Sequence, residues 1–224
     1  MSRFMTILES AIRDTYKNKS YFDQYIKEQR ARIDTKLVKL QDASGDRKQK
    51  ILMSLIGYYI DLLKAEYSNG ASKATMKALL VEALKNIEDY KNATYDDLLV
   101  LLSLNVMLDT QSSIKKLVAS NKSTIAKDRL LTYLEDGGKN WNGGIPLNQH
   151  YKLLDDVFTG DPESSMETYV KNWYESNSDS AWYNRHMSDT NTYSGYWCFE
   201  AAAIVKLLHI SDSKLTKYST YPKM

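Results

Sequence analysis

The sequence predicts an all-α protein, a multi-helix bundle with a long amphipathic N-terminal helix and a C-terminal helical subdomain. Three observations point there: apolar residues recur at helical spacing through most of the 224 residues, strand-like alternation is scarce, and only three prolines interrupt the chain. Phe22, Ile26, Ile33, Leu37 and Leu40 define the first stripe, with Lys27, Arg30, Arg32, Lys36 and Lys39 set among them on a basic outer face. Ala43-Ser44-Gly45 punctuates it. A second stripe of Leu52, Leu55, Ile56, Tyr59, Leu62 and Leu63 stops at Ser68-Asn69-Gly70, and the short connection favours an antiparallel pair.

Met76, Leu79, Leu80, Ala83, Leu84 and Ile87 form the third stripe. Thr94-Tyr95-Asp96-Asp97 then reads as a cap for a helix through Leu108. That helix is apolar nearly all round, so it belongs at the buried centre. Further helical stretches are expected at 114–118 and 125–134. Four of the nine glycines and one proline fall in 135–147, the best candidate hinge, which carries Trp141. This divides the chain into an N-terminal helical region (1–134), the glycine-rich loop (135–147) and a C-terminal helical region (148–224). In the last, Leu153, Leu154, Val157 and Phe158 make a short apolar face ending at Gly160. Asp161-Pro162-Glu163 is the clearest helix start, with N-cap, proline at the first position and an acidic first turn, and it leads into Met166, Tyr169, Val170 and Trp173. The final helix is expected over 195–209.

Composition removes several function classes. The most apolar run, 98–108, is far shorter than the ~20 residues of a membrane helix, and no cationic-then-apolar leader opens the sequence, so a cytoplasmic protein is expected. Cys198 is the single cysteine, which excludes an intramolecular disulfide and any Cys-rich zinc module. Zinc, phosphate-loop, dinucleotide and nucleophile-elbow motifs are absent, and His150, His186 and His209 lie far apart, so no cofactor, metal or catalytic residue is expected. A helical enzyme built on His186, Cys198 and Glu200 has no supporting spacing. Glu200 lies among Tyr196, Trp197, Cys198, Phe199 and Ala201, where a charge is costly unless satisfied. Helical spacing puts it on one face with Tyr196, Trp197 and Ile204, and it is expected to lock the last helix by accepting from a tyrosine, a histidine or a backbone amide.

Net charge is +2, yet residues 1–50 hold 12 basic and 7 acidic side chains while residues 128–200 hold 5 and 12. Charge runs commonly form solvated faces, and nothing here matches a nucleic-acid-reading motif, so no direct nucleic-acid or membrane partner is expected.

The stretch Trp182-Tyr183-Asn184-Arg185-His186, followed by Tyr193-Ser194-Gly195-Tyr196-Trp197-Cys198-Phe199-Glu200, resembles the signature of the PoNi family of bacterial immunity proteins, partners of the PoNe DNase toxins. Arg13-Asp14, Tyr21-Phe22, Tyr67-Ser68-Asn69-Gly70 and Tyr221-Pro222 are similar too, so the likeness spans nearly the whole sequence. It departs at Lys223-Met224, where a longer tail is expected. The resemblance implies a non-enzymatic helical protein that neutralises a cognate nuclease toxin of contact-dependent (type VI secretion) bacterial competition. It also implies that the aromatic motif, Trp182, Tyr183, His186, Tyr193, Gly195, Tyr196, Trp197, Phe199 and Glu200, holds the fold. A DNase cleft is basic, so the densest acidic cluster, Asp155, Asp156, Asp161, Glu163 and Glu167, with Trp141 as aromatic anchor, is the expected toxin-binding surface. A helical adaptor or scaffold is the alternative, and the long N-terminal helices leave homodimerisation open.

Overall fold

The structure, a computed structural model, describes residues 11–110 and 112–223. The first ten residues of the N-terminal region and Met224 lie outside it. Its helices are α1 (Lys19–Gln41), α2 (Gly45–Ser68), α3 (Lys73–Ile87), α4 (Tyr95–Leu108), α5 (Lys115–Ser120), α6 (Lys122–Ile125), α7 (Arg129–Glu135), α8 (Asp155–Thr159), α9 (Pro162–Ser176) and α10 (Phe199–Leu208). Two 3-10 turns, Gln149–Leu154 and Arg185–Met187, lie between them, and no strand occurs among the described residues. The all-α expectation holds.

Asn18 caps α1 by accepting from the Tyr21 amide at 3.0 Å, and the helix buries Phe22, Tyr25, Gln29 and Ile33 against α2. Asp23 meets Asn69, Arg30 meets Glu66 and Lys36 meets Ser54, which fixes the two helices as antiparallel. At the start of α4 the Thr94 hydroxyl accepts from the Asp97 amide at 3.1 Å and the Asp97 carboxylate from the Thr94 amide at 2.9 Å, a reciprocal capping box. Every α4 residue from Leu101 to Leu108 is buried, because α2, α3, α7 and α10 surround it. One continuous apolar core therefore runs from α1 through α4 to α10.

Two expectations need correction. The stretch 125–134 is divided: α6 ends at Ile125, and Asp128 caps a separate α7 by accepting from the Leu131 amide at 3.0 Å. The last helix begins at Phe199, not at 195. Residues 193–198 cross the core as irregular backbone, with Gly195 at φ +117° and the Cys198 amide donating to the Thr220 carbonyl at 2.9 Å. A buried aromatic segment carries the same apolar pattern as a helical turn, so periodicity ran through it. Tyr196 and Trp197 consequently do not share a helical face with Glu200.

The glycine-rich loop is tied to α7. Arg129 donates from its backbone amide to Pro146 O at 2.9 Å, from Nε to Ile145 O at 2.9 Å and from Nη2 to Gly143 O at 3.3 Å.

Candidate functional site

Glu200 sits in the first turn of α10 and is 4% exposed. Tyr169 and Trp173 are one turn apart on α9 and so present the same face to it. Its Oε1 accepts from Tyr169 OH at 2.6 Å, from Trp173 Nε1 at 2.6 Å and from the Cys198 thiol at 3.3 Å. Burial pushes the carboxyl above its ordinary value, against the pull of these donors. The same burial pushes the Cys198 thiol well up, so it stays protonated and unreactive. His186 does not join them: its Nδ1 and backbone amide are engaged by Tyr196 OH at 3.0 and 3.1 Å. The imagined trio is therefore not assembled. Among the described residues, no three His, Cys, Asp or Glu side chains converge as a metal-ligand set.

The segment 193–197 clasps the two ends of the chain together. Tyr193 OH donates to Asp14 Oδ2 at 2.5 Å, and Tyr21 OH donates to Tyr193 O at 2.9 Å. Ser194 Oγ reaches Asp61 at 3.1 Å. Ser68 Oγ donates to Ser194 O at 3.0 Å and accepts from Trp197 Nε1 at 2.8 Å, burying both polar groups with partners. Arg13 donates to the Tyr67 and Ala71 carbonyls at 2.9 and 3.0 Å, while Tyr67 OH donates to Lys223 O at 2.6 Å. Trp182 stacks on Trp173 with centroids 5.3 Å apart, and Tyr183 stacks on Tyr174 at 4.6 Å and donates to Glu175 at 2.9 Å. Phe199 packs edge-on to Tyr67 at 5.5 Å. None of Asp14, Tyr21, Asp61 or Ser68 stood out as a partner of this motif in the sequence, because pairings across more than 120 residues leave no periodic signal.

The acidic cluster is spread along α8 and α9, and its members differ in how far they are engaged. Asp155 is ion-paired with Arg129 and accepts from Trp141 Nε1 at 3.2 Å. Trp141 in turn stacks face to face on Phe158 at 3.8 Å, so both predicted contacts are half-buried and held within the chain. Glu167 accepts from Lys217 at 2.7 Å and Tyr218 at 3.1 Å, which holds its carboxyl below the usual range. Glu163 faces Lys214 at 3.9 Å. Asp156 and Asp161 are exposed, and the Asp161 side chain makes no cap hydrogen bond although Pro162 occupies the first helical position.

Fold and clasp together define a class of all-α protein in which an N-terminal and a C-terminal helical half are knitted by one buried aromatic segment. Sequence comparison matches those halves separately: residues 13–120 to the model of the PoNe immunity protein (PoNi) N-terminal region, and residues 126–224 to that of the C-terminal region. The chain belongs to the PoNe immunity protein family. No curated protein matches its sequence. Among solved structures, Protein PA2201 from Pseudomonas aeruginosa is similar in fold, with a TM-score of 0.68 at 18% identity over 95% of this chain and 88% of that one. No described helix is long and apolar enough to cross a membrane.

Proposed function

We propose that this chain binds a cognate PoNe-type DNase toxin in the cytoplasm of the cell that makes it and blocks DNA cleavage, sparing producer and kin. Membership of the immunity family over both halves is the observation that carries this reading. The acidic face of α8 and α9 supports a role for opposite charge in docking to a basic DNA-binding cleft, which raises encounter rate and orients the partners. Asp156 and Asp161 are the members best placed to act, since their carboxylates are exposed. Trp141 and Asp155 contribute by holding the loop that borders this face. Glu163 and Glu167 would have to exchange their lysine partners for toxin cations.

The test is survival of a host that expresses the nuclease domain encoded beside this gene, with and without this protein. Rescue by the intact protein, weakened on reversing Asp156 and Asp161 to lysine, is the expected result. Absence of rescue overturns the reading, and full rescue by the reversed variant overturns the acidic face.

A further inference from the structure

A cavity of about 210 Å³ is lined by residues of α2, the start of α4, Trp173 of α9 and the clasp. Its walls include Trp182, Tyr196, Trp197 and Glu200, with the Trp182 and Tyr196 rings 5.5 Å apart. Asp61 and Asp96 line it as well. We propose that this cavity receives one arginine guanidinium from the protein partner, an inference that rests on the immunity reading for the partner's identity.

Chemistry selects the occupant. Asp96 is without a hydrogen-bond or ion-pair partner among the described residues, and Asp61 accepts from Ser194 through one oxygen, leaving the other unengaged. All three side-chain donors to Glu200 use Oε1, so Oε2 receives none of them on a side chain that is 96% buried (4% exposed) and lines the cavity. At Asp61 and Asp96 the cavity therefore offers carboxylate oxygens that no side-chain donor engages. Aromatic faces beside carboxylates bind a cation twice over, through the ring quadrupole and through Coulomb attraction, and a planar guanidinium can stack and donate at once. Size agrees, because ligand pockets for larger molecules run to roughly 300–1,000 Å³ whereas this one suits a single side-chain head. Lys64 lines the same cavity and opposes an incoming cation, so its charge should weaken the site.

Tryptophan fluorescence of the whole protein titrated with N-acetyl-arginine amide tests the proposal. The expected result is a saturable change with half-saturation in the low-millimolar range, about fivefold weaker in an Asp61→Asn/Asp96→Asn variant, in which an amide oxygen can still accept from Ser194, and about twofold tighter in Lys64→Gln, each variant first checked for cooperative unfolding. N-acetyl-lysine amide should bind more weakly. A titration without saturation up to about 100 mM, or an unchanged half-saturation in the double variant, overturns the site. The double variant is then measured against the nuclease domain, where at least a tenfold weaker dissociation constant is expected. Equal binding by wild type and variant would remove the nuclease as the arginine's source while leaving the immunity reading intact. Arginine-amide binding without any nuclease binding would do the reverse.

Discussion

Gly195 lies against Ser68 so closely that a β-carbon built on it would overlap Ser68 Oγ, and its backbone is at φ +117°, where only glycine is at ease. The two residues belong to opposite halves of the chain, so the absence of one side chain is what lets the halves join. Gly195→Ala should therefore destabilise the fold by about 2 kcal/mol or more, from the clash and the backbone strain together. Urea unfolding of the variant beside wild type measures it.

Glu200→Ala removes the acceptor of two buried donors, Tyr169 OH and Trp173 Nε1, each costing about 1–3 kcal/mol when unsatisfied. Glu200→Gln keeps an acceptor oxygen and should lose less than half as much. Thermal unfolding of both variants beside wild type measures the difference.

The raised pKa of Glu200 sets a pH dependence with a definite sign. Between its ordinary value of 4.5 and its higher value in the fold, the native state binds more protons than the unfolded chain. Stability from this group is thus fully present below about 4.5 and falls as pH rises through the native value. Glu200→Gln should lack that component, which urea midpoints of both proteins between pH 4 and 7 will reveal as a shallower dependence on pH.

The helices were legible in the sequence because α1 to α3 and α9 bury one face each, which periodicity records, and α4 is apolar nearly all round, which marks a helix buried on every side. The cap of α4 was legible for the same local reason: Thr94 and Asp97 are three residues apart. Residues 193–198 were not, since a buried loop satisfied by Ser68, Asp14 and Thr220 has the composition of a helix and none of its hydrogen bonds. The aromatic motif itself was recognised, but its partners Asp14 and Ser68 lie 179 and 129 residues from the groups they bind. In the acidic cluster, the carboxylates could be counted from the sequence, whereas the lysines at 214 and 217 that engage Glu163 and Glu167 could not be foreseen.

Charge reversal at Asp156 and Asp161 should slow association with the nuclease by about tenfold at low salt and cost about 1–2 kcal/mol of stability, because both side chains are exposed but lie at the N-termini of α8 and α9. Stopped-flow association rates across a salt series check this. A rate loss that fades as salt is raised is expected for a steering role.

The central claim is inhibition by direct binding, and plasmid cleavage by the purified nuclease domain in the presence of increasing amounts of this protein tests it most directly. Cleavage that stops at one equivalent, with a dissociation constant in the nanomolar range or tighter for the isolated pair, is the predicted result. Undiminished cleavage at a large excess of this protein would contradict it.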